Sequence, residues 1–367
     1  MKVLTAMSGG IDSSVAALLL RGDGHEVLGA TLKLFDSGRP EPGAGRRSCC
    51  ALSDVLDAAQ VADRLNFRHY VFNFTLLFRQ EVIRRFAEAY AAGLTPNPCL
   101  DCNRYIKFHH LRDRMKALGC DYLATGHYAR IEYDRGRRRY LLKTALDAAK
   151  DQSYVLYALT QEQMAETLFP LGGLTKDGVR RLGRAHGLEN AEKPDSQDIC
   201  FVENGRYGDF LLALGLVSPP GDFIDRQGRV LGRHRGLIHY TIGQRRRLGV
   251  CRGRRLYVTK IDRAGNAVTL GQAPELEADR ALVGPVNLIS VEKLEGPTAV
   301  TVKTRYREKA APAVVRPGPG GTVIIDFDRP HRALAPGQAA VFYQGDTVLG
   351  GGPLISGEVS GRPQKKG

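Results

Sequence analysis

Apolar positions follow two rhythms along this chain. Up to about residue 205, short apolar runs alternate with stretches whose apolar residues recur every three or four positions. Beyond it, short alternating runs are separated by glycine turns. Val3, Leu4, Ala6 and Met7 form the first run, the pattern of a buried parallel strand. SGGIDSS interrupts it, and the block from Val15 to Leu20 predicts a helix capped by Ser13 or Ser14 and closed by Gly22 and Gly24. HEVLGATLKLF reads as a second strand, so the unit is right-handed with parallel strands.

The alternation continues. SDVLDAAQVADRLN predicts a helix with Val55, Ala58, Ala59, Ala62 and Leu65 on one face, and RHYVFNF a strand. A long helix rich in Phe, Ile and Tyr runs to about Ala92, where TPNP breaks it. After Cys102 a helix carries Phe108, Leu111, Met115 and Leu118 on one stripe, and DYLATGHYARI is the next strand. The expected fold is α/β, a doubly wound parallel sheet over 1–205, followed by two small β-rich domains: a basic one at 206–277 and a barrel-like one at 278–367. Ligands of such a sheet bind at the carboxyl ends of its strands, where SGGIDSS, His127 and the loop DSGRPEPGAGRRS would meet. The tail GRPQKKG is expected to be disordered.

Charge narrows the choice of partner. The 367 residues hold 53 Lys and Arg against 39 Asp and Glu, a formal charge of +14. Between Asp225 and Arg263 twelve basic residues face only Asp225 and Asp262 as acids, with Tyr240 and Tyr257 interleaved. That stretch is either a solvated basic face or a surface for a phosphate backbone, with aromatic rings that can stack on unpaired bases. No apolar run approaches the length of a membrane span, and the N-terminus does not resemble a signal peptide. Seven cysteines (Cys49, Cys50, Cys99, Cys102, Cys120, Cys200 and Cys251) are an odd set that argues against a disulfide framework and for the reducing cytoplasm.

Three stretches carry chemistry. SGGIDSS offers close backbone approach and a helix N-terminus to an anion, although SGG alone also suits a plain capped turn. It lacks the Gly-Lys-Ser/Thr ending of a Walker A loop, and Asp12 calls for either a metal ion or a capping role. In TPNPCLDCNRYIKF two prolines hold the chain out of a helix before Cys99, and Cys102 sits where the helix begins. The pair suits redox chemistry or half a zinc site that Cys49-Cys50 could complete, and two incidental cysteines also account for it. In EKPDSQDICFV, Cys200 is either a core thiol or a thiol on a mobile loop.

The full SGGIDSSV string resembles the PP-loop of ATP pyrophosphatases. With TPNPCLDCNRYIKF, ATGHYARI, KDQSYVLY, DSQDICFV, HYTIGQRRRLG, Arg305-Tyr306-Arg307 and FYQGDTVLGGG in order, nearly the whole chain resembles the bacterial tRNA-specific 2-thiouridylases. The resemblance implies an enzyme that binds ATP and Mg²⁺, adenylates the wobble uridine of Lys, Glu and Gln tRNAs with release of AMP and pyrophosphate, and replaces oxygen with sulfur. It implies ATP contacts at Ala6, Met7, Ser8, Gly9, Gly10, Ile11, Asp12 and Ser13, with Leu32 (Met in some relatives) and Gly126 beside the adenosine. Asn97, Pro98 and Cys99 would touch the target base; His127, Lys150, Asp151, Gln152, Arg305, Tyr306 and Gln344 would contact tRNA. Cys200 would receive sulfur, with Cys102 as partner thiol; Cys99 stands where some relatives have Asp.

Two routes stay open. Cys200 carries a persulfide and Cys102 releases its sulfur by forming a disulfide; or Cys99, Cys102 and Cys200 ligate a [4Fe–4S] cluster with one iron open, which the third thiolate favours. The donor would be a persulfide relay protein, a cysteine desulfurase or free sulfide, and the enzyme a monomer without membrane contact. Rival readings are another PP-loop synthetase, a non-catalytic ATP- and tRNA-binding protein, and a zinc-structured protein. The first needs no cysteine pair, the second would release no AMP, and the third would contain zinc.

Overall fold

The computed structural model describes residues 1–35, 52–193, 199–202, 205–250, 253 and 255–358. The glycine-rich loop, Cys49-Cys50, the lead-in from Pro194 to Asp198, Cys251 and the tail lie outside them. The chain divides into two units. One comprises Met1–Arg84, Pro98–Arg206 and Asp346–Val348; the other comprises Arg85–Asn97, Tyr207–Gly345 and Leu349 onward.

The first unit is the expected parallel α/β layer. It runs β1 (Lys2–Ala6), α1 (Ile11–Gly22), β2 (Glu26–Lys33), α2 (Leu52–Arg64) and β3 (His69–Asn73). Next come α3 (Thr75–Phe78) and a π-helical segment (Arg79–Ile83), then α4 (Arg84–Ala91), which from Arg85 on belongs to the second unit. α5 (Pro98–Asp101), a second π segment (Cys102–Leu111) and α6 (Arg112–Ala117) follow, then β4 (Tyr122–Ala124), β5 (Ala129–Asp134), β6 (Arg139–Thr144), α7 (Gln161–Ala165), β7 (Thr167–Leu168) and α8 (Lys176–Ala185). The sheet order is β3-β2-β1-β4-β7, every pairing parallel. Strand order reverses between β1 and β4, so the loops after these two strands flank the switch-point crevice. One face of α1 packs with Val3, Val27 and Ala124; the other packs Ile11, Val15 and Ala16 with Val61 and Val179.

Two expectations are corrected here. DYLATGHYARI is not one strand: β4 belongs to the parallel sheet, whereas β5 pairs antiparallel with β6. The chain must turn between them because Gly126 runs against the start of α1, where a Cβ would lie 2.8 Å from the Asp12 carbonyl carbon and the Ser13 nitrogen. The helix expected after Cys102 begins at Pro98, so Pro98 starts it rather than blocking it. A proline costs nothing in the first turn, where its missing N–H has no helical partner.

The second unit is β-rich. Four strands run in the order Tyr257–Asp262, Ala267–Gly271, Gly221–Ile224, Val230–His234 over a core of Phe223, Tyr240, Val258 and Val268. A second sheet closes into a barrel, because its first strand in order, Glu277–Val283, also pairs with Thr347–Glu358, from which β6 and β5 continue the sheet. Val302, Val315, Ile325 and Phe342 fill it.

Candidate active site

The loop between β1 and α1 is fixed by its neighbours. Met7 N donates to Ala30 O at 2.8 Å, keeping the chain on the sheet for one residue more. Gly9 has φ +70°, and a Cβ there would strike the Asp54 backbone, with its Cα at 2.7 Å. Packing therefore demands glycine at position 9. Gly10 differs: its backbone is extended (φ −91°, ψ 158°), and only Ser8 Oγ, at 3.6 Å, lies near its missing Cβ. The fold leaves that space open.

Ser13 and Ser14 do not cap the helix, contrary to the sequence expectation. Gly10 is the N-cap residue and no side chain caps α1. Both hydroxyls point back and donate to Gly10 O, at 2.9 and 3.1 Å, while Ser13 Oγ accepts from Ser8 N at 3.2 Å. The helix N-terminus thus presents its dipole and N–H groups without a side chain over them.

Asp12 does not cap the helix. Both its oxygens accept from Lys176 Nζ at 2.8 Å, and Oδ1 also accepts from Tyr128 Oη at 2.7 Å. Lys176 is buried at the first position of α8. Asn190 secures the loop from a third direction, donating from Nδ2 to Gly9 O at 3.1 Å and Ser14 Oγ at 2.9 Å. Sequence reasoning missed Lys176 and Asn190, which meet the loop across 164 and 176 residues. Tyr128 lay within the quoted ATGHYARI string, but nothing there linked it to Asp12. Leu32 is buried on β2, and Gly126 lies against the Asp12–Ser13 backbone.

Cys99 is exposed in the first turn of α5, and Cys102, half-buried, opens the π segment that follows. Cys200, half-buried, precedes Phe201, whose ring meets Phe78 edge-on at 5.8 Å. Among the described residues these three sulfurs form no group within 4.8 Å of one another, the closeness a single metal ion requires. Cys120 is buried, and that burial raises its thiol pKa.

The expected tRNA contacts divide. Pro98 is buried and Asn97 half-buried; Lys150 and Gln152 are half-buried, the latter accepting from Tyr128 N at 2.9 Å. Asp151 is buried and accepts from Ala145 N and Ser153 Oγ, so it holds its own loop. His127 is also buried, with Nδ1 2.6 Å from Thr125 Oγ1 and Lys107 Nζ donating to Nε2 at 3.4 Å. Burial, then the Lys107 charge, holds its pKa well below 6.5, so the ring is neutral. Arg305, Tyr306 and Gln344 are exposed in the second unit.

A glycine loop at the switch point of a parallel five-stranded sheet defines a nucleotide-binding α/β class. The profile of the tRNA methyl transferase HUP domain matches residues 1–204, the tRNA methyl transferase PRC-barrel domain 208–272, and the aminomethyltransferase beta-barrel domain 278–354. The tRNA-specific 2-thiouridylase MnmA 2 of Caldanaerobacter subterraneus subsp. tengcongensis is 48% identical over 352 residues, covering 96% of this chain and 97% of the relative. MnmA of Moorella thermoacetica is 48% identical over 354 residues, 96% of this chain and 99% of the relative. The chain belongs to the tRNA-specific 2-thiouridylase family, MnmA. A solved 4-thiouridine synthetase–RNA complex with bound ATP is 19% identical over 55% of this chain and 46% of that one, at a TM-score of 0.37, too distant to add to the argument.

Proposed function

We propose that this chain is an ATP-dependent tRNA 2-thiouridylase acting on the wobble uridine of Lys, Glu and Gln tRNAs. The observation that supports ATP use is Gly10: an extended residue with open space at its Cβ, beside an uncapped helix N-terminus. A triphosphate would lie against residues 6–13, with Mg²⁺ arriving as part of the nucleotide chelate. Asp12 already serves Lys176 and Tyr128, so its role is to hold Lys176 at the loop. The uridine C2 oxygen attacks the α-phosphorus and pyrophosphate leaves; a sulfur nucleophile then displaces AMP. Under this reading residues 1–205 do the chemistry, and 206–277 and 278–367 hold the tRNA. Asn97, Lys150, Gln152, Arg305, Tyr306 and Gln344 contact it, while buried His127 and Asp151 shape the loops that do.

Cys200 takes part in sulfur delivery by one of two routes. In one route its persulfide sulfur attacks C2, Cys102 closes a disulfide with it, and a thiol reductant reopens the pair. The second route is favoured by a specific placement: Cys99 and Cys102 stand three residues apart in one helical stretch, so with Cys200 the donor set is three thiolates. That set fits a [4Fe–4S] cluster, which when bound supplies an open iron for sulfide. Anaerobic reconstitution separates the two. Activity that needs iron and vanishes in Cys99→Ala supports the cluster; full activity of iron-free protein with Cys99→Ala unaffected leaves the persulfide pair.

A further inference from the structure

A second convergence of charge lies wholly within the β-rich unit. Gly243 N donates to Val258 O at 2.8 Å and Val258 N donates to Gln244 O at 2.9 Å, which ties the turn at 241–246 to the strand Tyr257–Asp262. Gln244 closes that turn through Thr241 N and the Arg246 carbonyl, on either side of Arg245. A Cβ on Gly243 would lie 2.9 Å from Ala333 Cβ and 3.4 Å from Arg305 Nη2, so three segments meet there without room for a side chain. Arg305 Nη2 donates to Ala333 O at 2.7 Å. Ala333 has φ +56°, a bend that follows directly on Arg332, whose guanidinium sits 4.6 Å from the centre of the Tyr257 ring. Hydrogen bonding from Arg332, and then from Arg245, holds the Tyr257 hydroxyl below the usual phenol range.

Arg245, Arg305 and Arg332 are all exposed, and among the described residues none makes an ion pair within 4.0 Å. The nearby carboxylate of Glu308 is engaged by Thr304 and His331, and Glu277, the register partner of Arg332, forms no ion pair with it. Arg305 is held on a carbonyl and Arg332 on a ring; the Glu308 carboxylate acts on Arg305 without pairing with it and is itself taken by Thr304 and His331, so the guanidiniums are organised for an anion from outside. Guanidinium forks match the oxygens of a phosphodiester.

We propose that Arg245, Arg305 and Arg332, ordered by Tyr257, form a clasp for a single backbone phosphate of the RNA substrate. The proposal rests on the tRNA reading and extends it: the resemblance pointed to Arg305, and the fold adds Arg245, Arg332 and Tyr257. One phosphate shared by three arginines has a signature that three separate contacts lack.

The test is titration of the full-length protein with a transcribed tRNA between about 50 and 200 mM salt. Each Arg→Gln substitution is expected to weaken binding several-fold, and thermal unfolding of each variant separates that loss from the loss of the Arg305–Ala333 and Arg332–Tyr257 contacts. The triple variant R245Q/R305Q/R332Q should flatten the slope of log K against log salt by about one, the value for one phosphate, not by three. Arg332→Lys should keep the slope and still lose affinity, since an ammonium neither stacks flat on Tyr257 nor forks. A triple variant with wild-type affinity and slope, or one that loses about three in slope, overturns the clasp while the tRNA reading stands. Wild-type protein that binds no tRNA overturns both.

Discussion

Lys176 Nζ lies 2.8 Å from both carboxylate oxygens of Asp12, an ion pair that joins the first turn of α8 to the first turn of α1. An acid at the mouth of an anion loop would repel a polyphosphate. The lysine cancels that charge, and its burial at 9% side-chain exposure strengthens the pair relative to one in water.

Removing the lysine alone should therefore weaken nucleotide binding more than it harms the fold. Lys176→Met is expected to raise the Kd for ATP about tenfold, equivalent to roughly 1.4 kcal/mol. The double variant D12N/K176M should recover most of that loss, because no uncompensated charge remains. A titration with a fluorescent ATP analogue checks it. A double variant as weak as the single one would mean that Lys176 acts through shape rather than charge.

The two loop glycines should separate fold from function. Gly9→Ala places a Cβ against the Asp54 backbone at a positive φ and should cost at least about 2 kcal/mol of stability. Gly10→Val places its Cβ in ordinary contact with Ser8 Oγ alone, at 3.6 Å, on a backbone that a β-branched residue accepts, so its stability should stay within about 1 kcal/mol of wild type. That variant should nonetheless release no AMP with tRNA and ATP. Normal turnover in folded Gly10→Val would remove the loop from the phosphate site.

His127 should make stability pH-dependent. Its pKa lies near 6.5 in the unfolded chain and well below that in the folded one. The unfolded state therefore binds the proton first as pH falls. The contribution is complete above 6.5 and is lost progressively below it, with a slope of up to about 1.4 kcal/mol per pH unit. His127→Gln should flatten the stability profile between pH about 6.5 and 5 relative to wild type. Identical slopes would show that the ring is protonated in the fold.

Most of the sheet could be read from the chain because its signals are local. The run Val3–Met7, the break at Gly9-Gly10 and the block Val15–Leu20 specify β1, the loop and α1 whatever surrounds them. The cysteine positions and the basic stretch were equally plain. What escaped was set by distant packing. The split of DYLATGHYARI depends on Gly126 meeting the backbone of Asp12, and the inward turn of Ser13 and Ser14 on a carbonyl competing for their hydroxyls. In LTKDGVRR, Lys176 stands among other charged residues with no local mark that sets it apart. Nothing in its neighbours shows that its partner lies in the first helix.

Sulfur transfer itself is tested most directly by nucleoside mass spectrometry of a transcribed tRNA incubated with the protein, ATP and Mg²⁺, with a persulfide donor in one arm and sulfide in the other. The account predicts 2-thiouridine at the wobble position, formed with one AMP and one pyrophosphate per modified base and absent with Cys200→Ala. Thiouridine formed without ATP, or ATP cleaved to AMP with no thiouridine in any tRNA offered, would contradict it.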